Sequence, residues 1–499
     1  MADIFFSLLT SLTNHKIVHN KYTLEDLKCQ CYLNNSTITR LNLNGGIEHL
    51  DTVSSCSSIF RKTILKLPLS IKDKENYWKN DIDAQEYIEN KFNTLLLHSN
   101  IGRHQQDSFR LSKLSSQSFL EHLIKFGFAS HLVKPRNKTD KTYQIDLLHL
   151  YTYDVRPKLH RYGCLIILDQ NLSIISIKVP HLTNDLLIKN ADKQLMKHPN
   201  FGKYSHMKEY YDDLIWKQTC NIAISSIFLH VTLKNKILDT HFHLLGSILT
   251  SYYRYYNYLP NEIKELFGPF IFRGNLVNSD IKKIMISKRG ILVRLFGLKK
   301  KHFKRYLKNQ SSKMETPSPH LIDPIIPIKT NLIKYWDTFN DFSHRLSNYL
   351  NTTGVLSSVT VSLFVQDIIY KTNIGNSKDS IWKNLAAIIC HLIYTVSVWN
   401  SNVCTIAPYL LHPKLVQTKI FKKCPQSEFG TKSGFTQNVY LALFTTMDSN
   451  PKMTENHWEN QSQDPYIQGI WKKLQQDLMK LDITEKKLNP NLLECSLTL

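Results

Sequence analysis

The sequence predicts a mainly α-helical fold with two long central helices and a minor β element. Three observations carry this. Four long segments repeat apolar residues at helical spacing, one short region reads as two strands around a turn, and the composition suits a buried core. Hydrophobic residues make up 42% and aromatic residues 11% of the 499 residues, which separates the chain from disordered sequences.

Residues 1–59 read as an N-terminal extension, because Asn34, Asn35 and Ser36 and then Gly45 and Gly46 break any long periodicity. The opening MADIFFSLLTSL carries Asp3 and no basic residue, so it is a poor secretory signal. Residues 60–499 are expected to form one domain. Within it Ser116 to Gly127 (SQSFLEHLIKFG) is helical in pattern, and Tyr162 to Val179 reads as a hairpin around Asp169-Gln170-Asn171.

From Tyr210 onward apolar residues recur through Trp216, Ile222, Ile227 and Leu233, and again through Leu244, Ile248 and Tyr252. This fits two long helices or one interrupted helix. Leu332 to Leu350, Ile381 to Trp399 and Tyr466 to Leu481 repeat the pattern, and with the first segment they are expected to carry most of the core. Gly297 to Pro327 and Asn400 to Thr436 are punctuated by Pro and Gly and read as loops.

Charge and cysteine usage bound the setting. The net charge is +22 and the pI about 9.4, which favours acidic partners such as nucleic acid, anionic lipid or carboxylated substrates. Lys, Asn, Ile and Tyr are abundant, as an A/T-rich coding sequence would produce. The nine cysteines (Cys29, Cys31, Cys56, Cys164, Cys220, Cys390, Cys404, Cys424, Cys495) form no paired CxxC knuckles, so they read as reduced thiols in an intracellular compartment. Ile381 to Trp399 is the longest apolar stretch, and Lys383, Asn384 and His391 within it argue for a helix buried in protein over a membrane span. A soluble, intracellular protein is expected, with association with a virion as a variant of that setting.

The motif search excludes several enzyme classes. The chain has no Gly-x-Ser-x-Gly elbow, no phosphate-binding Gly-Lys-Ser/Thr loop, no Gly-x-Gly-x-x-Gly and no His-Glu-x-x-His.

One set of ordered elements points to a family. Trp78 to Leu97 (WKNDIDAQEYIENKFNTLLL), Tyr143 to Tyr151 (YQIDLLHLY), the Tyr162 to Val179 hairpin and Asn235 to Arg254 (NKILDTHFHLLGSILTSYYR) come first. Leu259-Pro260, Leu266 to Asn278, Ile286 to Phe296, Trp336 to Tyr349 and Ile388 to Cys404 (IICHLIYTVSVWNSNVC) follow. In order and spacing this series resembles the lipoxygenase catalytic domain, without the N-terminal β-sandwich that many relatives carry. The sharpest match is Thr240-His241, where the family pattern has Thr-His leading into an apolar run. The Gly and Pro usual in the first element are missing here.

The resemblance implies a non-haem iron held by two histidines of one helix, a third histidine and a fourth side chain of another, and the terminal carboxylate. It also implies oxygenation of a polyunsaturated fatty acid. Carried over, the first histidine position is Lys236, the second His241, the third Asn400 and the fourth Cys404, and the carboxylate belongs to Leu499. One imidazole stands where three belong. A lysine ligates only after losing a proton from a group whose reference pKa is about 10.4. An amide is a weak donor, and a thiolate makes a softer site than dioxygen chemistry uses.

Other histidines do not fill the gap: His243 lies about 200° around a helix from His241, and His230 about 16 Å away along it. His391 reads as a hydrogen-bonded core histidine. The expectation is therefore no iron, with the Lys236 ammonium paired to the Leu499 carboxylate in its place.

The leading functional reading is a degenerate lipoxygenase-like protein that keeps a fatty-acid-binding scaffold, and acts in lipid binding or as a structural interaction protein. The alternatives are an active iron dioxygenase with an unorthodox ligand set, or a basic viral structural protein associated with nucleic acid. The run GLKKKHFKRYLK, with Lys299, Lys300, Lys301, Lys304, Arg305 and Lys308, suits phosphate of a lipid headgroup or nucleic acid, and reads otherwise as a solvated helix face.

Overall fold

A computed structural model describes residues 101–137, 141–180, 207–236, much of 244–272, 296–298, 316–404, 406–420 and most of 462–493, with a few short or single positions besides. The N-terminal extension and the Trp78 to Leu97 element lie outside the described residues, apart from helical Glu86.

The described elements are helical with one small sheet. We label the helices α1 (Ile101–Ser112), α2 (Ser116–Lys125), α3 (Met207–Lys236), α4 (Asn261–Phe272), α5 (Lys329–Thr352), α6 (Val359–Thr372), α7 (Ile381–Tyr394) and α8 (Pro465–Met479). A π-helical segment, Thr395–Cys404, continues α7. Four strands, β1 (Lys134–Asn137), β2 (Thr142–Asp146), β3 (Leu165–Leu168) and β4 (Ile174–Lys178), form an antiparallel sheet in the order β1-β2-β3-β4.

The expected hairpin is β3–β4, and the minor β element extends beyond it by two strands. Sequence pattern misses β1 because Lys-Pro-Arg-Asn has no apolar alternation; its order comes from pairing with β2. The inward face of the sheet aligns Ile145 with Ile166, both fully buried.

The two long central helices are α3 and α7 with its π segment. Along α3, every residue from Gln218 to Thr232 except Asn221 is buried. A helix apolar or small on all sides belongs inside a larger core. Its polar side chains are mostly bonded at close range: Ser226 Oγ donates to Ile222 O at 2.7 Å and accepts from the Gly163 N–H at 2.9 Å, and Ser225 Oγ donates to Gln417 O at 2.6 Å. α5 packs between α7 and α8, with Phe342 against Trp471 at 4.6 Å between ring centroids.

α8 starts as its sequence dictates. The Asp464 carboxylate accepts from the Tyr466 N–H at 2.8 Å, and Pro465 occupies a position whose N–H would be unused. The expected helices at 332–350 and 466–481 are α5 and α8. The expected loop from Asn400 needs correcting: residues 400–404 are helical, because the π segment carries the apolar face of α7 through Trp399 and onward. Ile381–Asn402 is long and apolar enough to cross a membrane, and 72% of its most apolar window is buried inside the protein.

Candidate functional site

Of the positions that sequence singled out, Lys236 falls on α3 and Asn400 and Cys404 on the π segment, and these two elements pack against each other. Lys236 is the last residue of α3, and Cys404 the last of the π segment; the side chains of both lie outside the described residues, as do His241 and Leu499 entirely. Asn400 is described and buried at 9% exposure. The basic run Lys299, Lys300, Lys301, Lys304, Arg305 and Lys308 lies outside the described residues too.

Iron is the group that the resemblance implies, and the described side chains near the π segment do not fit it. Asn400 offers a neutral amide. The Cys390 thiol is buried, and burial pushes its pKa up, aided by Asp337, so it stays protonated. His391 is hydrogen-bonded as expected but half-buried rather than in the core: its Nδ1 donates to Pro317 O at 3.2 Å and its ring meets Trp336 edge-on at 4.8 Å. Burial lowers its pKa to about 4, against the opposing effect of the Pro317 hydrogen bond. Among the described residues no three His, Cys, Asp or Glu side chains gather at metal-binding distance.

The segment is nevertheless polar in an unusual way. A π turn replaces i→i+4 with i→i+5 bonding and widens the helix. Here the Tyr394 hydroxyl, Thr395 Oγ1, Trp399 Nε1 and both amide atoms of Asn402 are buried with no hydrogen-bond partner among the described residues. Each residue is at most 3% exposed. Tyr394 and Trp399, five residues apart, meet with ring centroids 6.3 Å apart, and the His131 ring meets Trp399 at 5.7 Å. Ser397, by contrast, closes on its own helix by donating to Ile393 O at 2.6 Å. Sequence reading matched Tyr394 and Thr395 to the family element but gave no role to Trp399 or Asn402, because nothing in their spacing marks a π turn.

A second polar pair was also missed. His230 of α3 places Nδ1 3.2 Å from Nε2 of His149, one ring donating and the other accepting, and the rings cross at 74°. The residues stand 81 positions apart, so only the fold joins them. Elsewhere on α3, Gln218 and His160 are joined through Nε2 atoms 3.1 Å apart.

A shallow cavity of about 260 Å³, counting its open mouth, lies between α4, α5 and α8 and is lined by Glu262, Glu265, Leu266, Leu350, Ile467 and Trp471 among others. It is smaller than a usual small-molecule pocket, and its two carboxylates are the wrong sign for a fatty-acid headgroup.

Neither a protein-family model nor a curated protein matches the chain. Among solved structures it is similar to a 9R-lipoxygenase from Cyanothece PCC8801, with 11% identity, a TM-score of 0.48, and coverage of 86% of this chain and 73% of that one. It is also similar to a deletion-bearing LOX variant at 11% identity and a TM-score of 0.48, covering 96% of this chain and 75% of that one. The chemistry of this chain is left to its own residues.

Proposed function

We propose that the protein is a lipoxygenase-like scaffold without the redox centre, working by binding, with a fatty-acyl ligand or an interaction partner as its target. One observation carries the reading. Two of the three positions that the resemblance assigns to imidazoles hold Lys236, at the end of α3, and the neutral, buried Asn400, in the π segment. A protonated lysine repels a ferrous ion, and an amide does not replace an imidazole in a site of this kind.

Electrostatics supports the same reading. Beside the π segment, where the His131 ring also meets Trp399, α7 carries the Cys390 thiol, held protonated by burial, and His391, held neutral down to about pH 4. Neither offers negative charge to a metal ion.

Oxygen uptake with linoleate, on protein supplied with ferrous iron, tests the loss of catalysis. No uptake above buffer is expected, and turnover would overturn the proposal in favour of a dioxygenase with rearranged ligands. Displacement of a fluorescent fatty acid from delipidated protein tests the binding half. Saturable displacement is expected, and its absence would leave the scaffold as an interaction protein.

A further inference from the structure

We propose that the π segment Thr395–Cys404 encloses a site for small uncharged guests that both donate and accept hydrogen bonds, with ordered water as the resting occupant. This goes beyond the functional reading above and does not depend on the family resemblance.

Four residues within nine positions carry five buried polar atoms that the described residues leave unpaired: Tyr394 OH, Thr395 Oγ1, Trp399 Nε1, and Oδ1 and Nδ2 of Asn402. Buried polar atoms in folded proteins nearly always have a partner, in the protein or in ordered water. Neighbouring buried groups show the alternative. Ser397 bonds to Ile393 O within the helix, and Asn384 of α7 pairs its amide at both ends with the preceding loop. Single unpaired atoms occur elsewhere among the described residues, at Ser130, Thr232 and Ser347, but here five fall on four residues around the wide turns.

Chemistry selects the guest. The set mixes a donor-only indole, two hydroxyls that do either, and an amide that does both, so a guest must donate and accept. Charge selects against ions. The segment itself carries no Asp, Glu, Lys, Arg or His, and the groups beside it on α7, Cys390 and His391, are neutral at pH 7. A cation entering here would lose its hydration without gaining a counter-charge from these residues.

The test is the sign of the stability change when each polar atom is removed at constant shape. If guests are bound, Tyr394→Phe, Thr395→Val and Asn402→Leu each leave a guest short of a partner. Melting temperatures of the full chain then fall by about 1–3 °C. Unchanged or raised melting temperatures across the three would overturn the proposal, since an atom with no partner costs stability and its removal restores it.

Relaxation dispersion of water oxygen-17 supplies a readout that packing does not move. Wild-type protein should show at least one more long-lived internal water than Asn402→Leu, and equal counts would overturn the proposal. Ferrous or zinc ions should leave the wild-type melting temperature unchanged; a rise abolished by Asn402→Leu would show that the site takes cations.

Discussion

The two halves of one helix solve the same problem differently. In α7 the buried Asn384 is held at every polar atom: its Oδ1 accepts from the Asn376 N–H at 2.8 Å, and its Nδ2 donates to Asn376 O at 2.9 Å and Asp379 O at 3.2 Å. Gly375, at φ +85°, is required there because a Cβ would collide with the same amide. Fifteen to twenty residues on, in the π segment, the equally buried Asn402 has both amide atoms unpaired. The α half fastens a loop to the core, whereas the π half keeps hydrogen-bonding capacity inside the core.

The largest effect that bears on this contrast is a cavity in the α half. Leu385 is fully buried where α7 meets the core, and Leu385→Ala should cost about 2–5 kcal/mol in urea unfolding. A loss under 1 kcal/mol would mean that α7 is not the packing centre described.

Next comes the amide pair itself. Asn384→Leu strands one N–H and two carbonyls of the 376–379 loop and should cost about 2–3 kcal/mol, more than Asn402→Leu, which on the proposal above loses a guest that can leave with the amide. Equal losses would erase the distinction between the halves.

A smaller effect is set by pH. Burial depresses the pKa of His391 to about 4, below the reference value of about 6.5. Its neutral form contributes stability that is fully present above about pH 6.5 and is lost as pH falls toward 4, because the unfolded chain takes up the proton first. Urea midpoints of His391→Phe should therefore fall less steeply than wild type between pH 6.5 and 4, and identical slopes would place the titration elsewhere.

Much of the framework was legible in the sequence. The 3.6-residue repeats of α5 and α8 and the strand–turn–strand of β3–β4 are local patterns that survive into the fold. α6 was not legible, for its sequence VTVSLFVQDIIYKT is rich in β-branched residues that lower helix propensity. Packing against α7 and the left-handed Asn373 cap, at φ 57°, decide its state.

The candidate site divides in the same way. Lys236 and Asn400 were assigned to ligand positions by order and spacing, and the fold places them on α3 and on the π segment. The His149–His230 pair and the unpaired atoms of Thr395, Trp399 and Asn402 depend on tertiary contact or on a π turn, which no residue spacing announces. His241, Leu499 and the basic run at 299–308 lie outside the described residues, so their expected roles stand on the sequence alone.

The central claim is that a scaffold of this shape carries no iron. Elemental mass spectrometry of the purified chain, expressed with added iron and referred to protein concentration, tests it most directly. The account predicts iron far below one per chain. A value near one would contradict it, and would require ligands rearranged around His241.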